Sequence, residues 1–363
     1  ISISLIICAT FVGLQRKYML SHDMGFDREE LITANVNRTV AKSAEALSSK
    51  LREDPQIKDI TWADGDLVQP SRMGWGRLYK GEQVSFQCYP VAWNFLQFMG
   101  IPVVEGRDFT QADEQSENGV FIFNEAAKNK FGFTLNEKMP GHMDEGDAEV
   151  VGFCRDFNFT SLKNDVSPLA LYIFGKHPWR PLSTLLVRTG KNADIPAIMK
   201  KIATTVSEID PTVNPDDVDV QLFDKKLQGQ YQTESNFSRL ITLFTLLAII
   251  ISLMGVFGLV MFETEYRRKE IGVRRVNGAT IGEILKMFNV EFARIVLICF
   301  IIAMPLTWWI VNRYLSGFAY RVPIYIWVFA AALVAVLAIT ALVVTGRCYR
   351  AATENPSVTL KKE

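Results

Sequence analysis

Polar and apolar residues are segregated along this chain. Leu240–Phe262 runs 23 residues without a charge, Ile295–Asn312 runs 18, and Val322–Gly346 runs 25. A helix needs about 20 apolar residues to cross a hydrocarbon core of about 30 Å. Core helices of soluble domains usually keep a charged face. The pattern therefore predicts transmembrane helices over 240–262, 288–312 and 324–346, joined by a loop at 263–287 and followed by a tail at 347–363. Ile1–Leu14 is a fourth apolar run, closed by Gln15-Arg16-Lys17. At about 1.5 Å per residue it reaches only about 21 Å. It lacks the charged leader of a signal peptide. It is read as a truncated transmembrane helix over 1–14, at the edge of a fragment or of the second part of a longer chain.

Between these runs the period changes. Glu30–Asn37 and Ile57–Ala63 read as strands, and Ala41–Glu53 between them as a helix with Ala44, Leu47 and Leu51 on one face. A second strand–helix–strand set follows late, at Ser183–Arg188, Ala193–Ile209 and Val218–Phe223, with Pro211 and Pro215 marking the turn. Two βαβ units around an insertion predict a ferredoxin-like layer with a strand-rich subdomain inserted at 66–176. In the insertion, Arg77–Tyr79 and Gln83–Tyr89 form a hairpin across Lys80-Gly81-Glu82, Trp93–Met99 is a short helix, and Gly119–Phe123 and Glu149–Phe153 are strands. A polar helix from Phe223 to Arg239 is expected to run into the first full span as one stalk. The fold class is thus a multi-pass α-helical membrane protein with a large α+β domain at 15–239 and a membrane part at 240–363.

Charge orients these parts. The chain of 363 residues has no net charge, with 39 Lys+Arg and 39 Asp+Glu. Residues 1–239 carry 26 basic and 32 acidic residues, a net of −6, and residues 240–363 carry 13 and 7, a net of +6. Arg267, Arg268, Lys269, Arg274, Arg275 and Lys286 sit in the first loop, and Arg347, Arg350, Lys361 and Lys362 in the tail. The loop between the last two spans has only Arg313 and Arg321. Basic loops stay in the cytoplasm, so the loop at 263–287 and the tail face inward and the acidic domain faces outward. The balance excludes a disordered chain and a globally basic nucleic-acid binder. Five Cys in this length exclude a disulfide scaffold.

The segment Arg268-Lys269-Glu270-Ile271-Gly272-Val273-Arg274-Arg275-Val276-Asn277-Gly278-Ala279-Thr280 follows a span bearing Gly255 and Gly258. The tail reads Ala351-Ala352-Thr353-Glu354-Asn355-Pro356-Ser357-Val358-Thr359-Leu360-Lys361-Lys362-Glu363. Both resemble signatures of the MacB/FtsX-like ABC transporter permeases. Met99-Gly100-Ile101-Pro102, Glu105-Gly106-Arg107-Asp108-Phe109 and Val151-Gly152-Phe153-Cys154-Arg155-Asp156-Phe157 are similar to the family's periplasmic core domain. The resemblance implies a coupling helix that contacts an ABC ATPase subunit through Arg268, Lys269, Glu270, Ile271, Gly272, Arg274, Arg275, Gly278 and Ala279. Glu270 would be a polar contact there, and Gly278 and Ala279 would pack closely. Ala351, Asn355, Pro356, Leu360 and Glu363 carry the tail motif. It also implies a second permease half or a homodimer, and a periplasmic adaptor or a lipoprotein or peptide substrate. The residues alone leave a plainer reading open, in which the basic loop sets topology and binds membrane lipids.

No G-x-x-x-x-G-K-[ST] segment occurs, so no phosphate-cradling loop can be placed. The expectation is no cofactor in this chain, with ATP and Mg on the partner ATPase, and no catalytic residue. His22, His142 and His177 lack metal-ligand spacing, and Asp144-Glu145-Gly146-Asp147 lacks an EF-hand ladder, so no metal site is expected. A Cys88–Cys154 disulfide stays open. Glu291 and Arg294 are spaced to pair on one helix face. Trp75, Trp93, Phe95, Phe98 and Trp179 are expected in the core, with a substrate or partner surface as the alternative. Two functions remain. One is a permease of the mechanotransmission type, which couples ATP hydrolysis elsewhere to export or to lipoprotein or peptide handling outside the cytoplasm. The other is a membrane-anchored sensor or regulatory binding protein without transport. The protein is placed in the cytoplasmic (inner) membrane, with its large domain in the periplasm or extracellular space and no nucleic-acid partner.

Overall fold

The computed structural model describes residues 1–67, 69–70, 74–141 and 146–353. The chain divides into a unit of Ile1–Met19 with Thr233–Glu363 and a second unit of Leu20–Gln232. It opens with helix α1 (Ser2–Ser21).

The Leu20–Gln232 unit holds two main sheets. The first contains β1 (Leu31–Asn35), β2 (Ile57–Ala63), β12 (Thr184–Thr189) and β13 (Asp219–Leu222), in the order β13-β1-β12-β2. All its pairings are antiparallel. With α2 (Arg38–Lys42) and α3 (Ala44–Arg52) between β1 and β2, and α6 (Ile195–Ile209) between β12 and β13, this is the ferredoxin-like layer that the pattern predicts. Leu47 and Leu51 of α3 and Ile198, Ile202 and Val206 of α6 bury one face over Ile32, Ile60, Leu185 and Val187. Asp194 caps α6 by accepting the Ala197 N–H. The single helix expected over 41–53 is two, because the Ser43 N–H turns back to the Val40 carbonyl and closes α2.

The insertion contributes the short ladder β3 (Gly65–Asp66)–β4 (Gln69–Pro70) and a seven-stranded mixed sheet. The sheet comprises β5 (Gly74–Tyr79), β6 (Glu82–Pro90), β7 (Val103–Gly106), β8 (Val120–Asn124), β9 (Lys138–Pro140), β10 (Asp147–Cys154) and β11 (Leu169–Ile173). Its order is β5-β6-β11-β8-β10-β7, with β9 on β10. Helices α4 (Phe95–Met99) and α5 (Glu125–Phe131) accompany it. Lys80 and Gly81 take positive φ at the β5–β6 turn, as a two-residue hairpin requires. The core is aromatic: Trp75, Phe86, Phe121, Phe123, Phe133 and Tyr172 pack together. Trp75, Phe95 and Phe98 are therefore core residues, whereas Trp93 and Trp179 are half-buried.

Helix α7 (Phe223–Gln230) lays Phe223, Leu227 and Tyr231 into the same unit, all buried at four-residue spacing. The Tyr231 hydroxyl accepts the Leu162 N–H at 3.2 Å. This anchorage interrupts the expected stalk, and the chain restarts as α8 (Gln232–Tyr266).

The other unit continues through α8, α9 (Arg268–Val276), α10 (Ile281–Leu315) and α11 (Ile326–Thr353). Among the described residues four helices are long and apolar enough to cross a membrane: α1, α8, α10 and α11. Helix α10 starts at Ile281, earlier than the apolar run suggests, because Thr280 and Glu283 form a capping box. Helix α1 extends past Leu14 to Ser21, since the polar residue that seemed to end it has partners. Gln15 is fully buried. Its amide donates to the Tyr320 carbonyl at 2.8 Å and accepts the Val322 N–H at 2.9 Å, fastening α1 to the loop between α10 and α11. Below it, Ile3, Ile7 and Phe11 pack on Val311, Val328 and Phe329. Gln15→Leu removes both of these bonds to backbone groups, at about 1–3 kcal/mol each. The expected result is a clearly lower denaturation midpoint in micelles, whereas Thr10→Ala, on the same helix, should change it little.

Candidate functional site

The segment between α8 and α10 is a built element. Helix α8 ends at Tyr266, and the nine-residue helix α9 follows after Arg267. Ile271 and Gly272 are buried. Ile271 enters an apolar cluster made by Val260 of α8, Ile284, Phe288 and Phe292 of α10, and Val344 and Cys348 of α11. One side chain of α9 thus touches a cluster fed by three spans.

The opposite face is open. Lys269, Glu270 and Arg274 are exposed, and Val273 and Val276 are 50% and 66% exposed. Glu270 pairs with Arg274 one turn on, at 2.6 Å, and Arg268 pairs with Glu265 at 3.1 Å. The result is a short helix with an outward stripe of paired charges and small apolar groups. Gly278 has φ +90 and follows the C-cap Asn277. Its N–H bonds the Arg275 carbonyl and the Ala279 N–H bonds the Arg274 carbonyl. Glycine ends the helix here because an L side chain is strained at that φ. Among the described residues nothing lies within 4 Å of a Cβ built on Gly278, so it makes no close packing with them. Arg275 donates to the Ala279 carbonyl at 3.3 Å and steadies the same turn.

Arg267 braces the loop. Its guanidinium lies 2.5 Å from Glu263 and 2.9 Å from Glu291. Spacing predicts a Glu291–Arg294 pair; Glu291 instead meets Arg267, which comes from the end of another helix and is invisible to i,i+3 counting. Of the tail motif, Ala351 lies in the last turn of α11. Asn355, Pro356, Leu360 and Glu363 lie outside the described residues, as do His142, Asp144 and Glu145.

The exported motifs have a structural origin. Gly106 (φ +81) and Gly152 sit where β7 crosses β10, and a Cβ on Gly106 would lie 2.4 Å from the Val151 carbonyl oxygen. Arg107 grips Asp113 with two bonds of 2.7 and 2.8 Å. Burial pushes the Asp113 carboxyl up, but Arg107 and the Thr110 N–H and hydroxyl outweigh it and hold the group below the usual range. Cys88 and Cys154 are both free and buried, on β6 and β10, with β11 and β8 between them. Two intervening strands, at about 4.8 Å per step, exclude a disulfide. Burial pushes the Cys154 thiol up to about 12 and the Cys88 thiol well above its ordinary value. His177 lies 3.7 Å from Glu117. Among the described residues no three His, Cys, Asp or Glu converge as metal ligands.

Residues 1–205 match the MacB-like periplasmic core domain, and residues 242–356 match the FtsX-like permease C-terminal domain. The chain belongs to the MacB/FtsX-like permease family. It is 26% identical over 252 residues to the macrolide export ATP-binding/permease protein MacB of Sodalis glossinidius, covering 64% of this chain and 36% of that protein. It is 21% identical over 229 residues to the pyoverdine export ATP-binding/permease protein PvdT of Pseudomonas entomophila, covering 60% and 34%. The chain spans about a third of the length of these curated relatives. The periplasmic region of MacB from Actinobacillus actinomycetemcomitans superposes with a TM-score of 0.42 at 12% identity, over 59% of this chain and 97% of that one. The extracellular domain of YknZ, a noncanonic ABC-type transporter from Gram-positive bacteria, gives 0.39 at 14%, over 53% and 98%. Membership in the MacB/FtsX-like family and the apolar helices α1, α8, α10 and α11 make this a multi-pass permease component of the inner membrane with a periplasmic core domain.

Proposed function

We propose that this chain is the permease part of an ABC exporter of the mechanotransmission type. In this reading α9 is the coupling helix. ATP and Mg bind on an ATPase partner, two permease halves come together, and their motion reaches the exported domain through α1 and α8. Two relatives are named for exporting a macrolide and pyoverdine, which supports export as the direction of work. A periplasmic adaptor and a lipoprotein or peptide substrate remain candidates.

The observation that carries the reading is the two-sided character of α9. Ile271 locks it to the spans, while Lys269, Glu270, Val273, Arg274 and Val276 stay outside. Of the nine motif residues, Ile271 and Gly272 then hold the helix, and the exposed charges touch the partner. Gly278 and Ala279 shape the turn. Copurification of the cognate ATPase with the tagged chain tests this. Glu270→Arg, which breaks the pair with Arg274 and reverses one charge, and Gly278→Trp, which distorts the turn, are each expected to reduce the recovered ATPase at least about tenfold, equivalent to about 1.4 kcal/mol. Unchanged recovery with both variants refutes the assignment of α9.

A further inference from the structure

The periplasmic core domain contains a cleft of about 390 Å³ between its two sheets. This is at the small end of the range for ligand pockets, about 300–1,000 Å³. Helix α3 forms one wall, and the chain around Val91–Asn94 and Ile173–Gly175 forms the other. Two half-buried rings, Trp93 and Phe174, line it with Ile60 and Leu182. The apolar side is therefore aromatic and aliphatic.

Its charges are mostly settled. Arg52 lies 3.6 Å from Glu45, and Arg180 is paired with the buried Asp64. Glu114 differs. Its carboxylate accepts the Trp93 backbone N–H, it forms no ion pair among the described residues, and Glu45, of the same sign, acts on it. Burial, and then Glu45, push this carboxyl above its ordinary value. A half-buried carboxylate beside indole, with no cation of its own among the described residues, is the charge a ligand must answer. A cation there gains a charge-assisted bond, and the adjacent Trp93 ring adds attraction for the same sign.

We propose that this cleft binds a small organic ammonium ion, with its charge on Glu114 and its apolar body against Trp93 and Phe174. The site belongs to the exported domain, so binding holds whether or not α9 serves an ATPase, and failure of one claim leaves the other standing.

Phenethylamine and its neutral analogue 2-phenylethanol separate the charge from the apolar body. Each is titrated calorimetrically near neutral pH into the full chain in lipid nanodiscs. The amine is expected to saturate and to bind at least about tenfold more tightly than the alcohol, the scale of one hydrogen bond to a charged group. Glu114→Gln is expected to bring the amine down to the alcohol's level, while Glu53→Gln, outside the cleft, keeps the preference. Ala44→Phe, which keeps Glu114 but fills the cleft, is expected to abolish amine binding and serves if Glu114→Gln does not fold. Non-saturable amine binding, equal affinity for the two probes, or a preference that survives Glu114→Gln or Ala44→Phe overturns the proposal. A short peptide with a free N-terminus that binds more tightly than its acetylated form, and loses that advantage in Glu114→Gln, identifies a peptide amine as the source of the cation.

Discussion

Replacing Ile271 with Asp is expected to free α9 from the membrane unit and to abolish assembly with the ATPase. Ile271 is 5% exposed and sits among Val260, Ile284, Phe288, Phe292 and Val344. An uncompensated charge at such a place costs about 3–5 kcal/mol, whereas Ile271→Val removes one methylene for about 0.5–1.5 kcal/mol. The contacts α9 makes through this side chain are few, so that loss exceeds what a nine-residue helix holds by itself. Hydrogen exchange in micelles checks it. The amides of residues 268–276 should lose protection in Ile271→Asp and keep it in Ile271→Val, while α10 stays protected in both. Glu270→Arg should keep the protection and still lose the ATPase. This contrast distinguishes a residue that holds the helix from one that meets the partner.

The second large effect is expected in the exported domain. Gly106→Ala places a Cβ 2.4 Å from the Val151 oxygen and 2.8 Å from the Gly152 Cα, with φ at +81. Both nearest backbone atoms belong to β10, which is paired on its other edge with β8, so it cannot retreat without breaking a ladder. Gly132→Ala is the control. It also has a positive φ, +68, but nothing lies within 4 Å of the added methyl. The left-handed conformation alone costs about 1–2 kcal/mol. Denaturant melts of the full chain should show Gly132→Ala shifted by that amount and Gly106→Ala destabilised by at least about twice as much, with strain and lost pairing added.

Much of this architecture is legible in the sequence because the strongest physical constraints are local. Charge-free runs of 18 to 25 residues have one use: α8 and α10 contain two of them whole, and α11 takes up the third from Ile326. The two strand–helix–strand sets with Leu47, Leu51, Ile198 and Ile202 on their inner faces give the β13-β1-β12-β2 layer. What could not be read depends on distant partners. The polar Gln15 marks the apparent end of a helix until Tyr320 and Val322 supply its bonds. Strand β11 is apolar throughout, without alternation, because it is buried on both faces between β6 and β8. The break at Tyr231 arises from the buried contact with Leu162, 69 residues away.

The candidate site divides in the same way. The loop motif at 268–280 was visible as a string, but its sidedness was not. Only the three-dimensional packing separates Ile271, turned into the spans, from Glu270 and Arg274, paired on the outside. Glu291 was visible as a charge near a span, and its bridge to Arg267 depends on two helices meeting. The cleft around Glu114 left no trace in spacing, since its walls come from segments more than a hundred residues apart.

The most direct test of the account is the ATP hydrolysis rate of the cognate ATPase in nanodiscs, with the wild-type chain, with Glu270→Arg and without the chain. The account predicts that the wild-type chain changes the rate several-fold, and that Glu270→Arg returns it to the value of the ATPase alone while α9 stays protected from exchange. An ATPase rate that is the same in all three preparations contradicts it, and leaves the chain as a membrane-anchored binding protein.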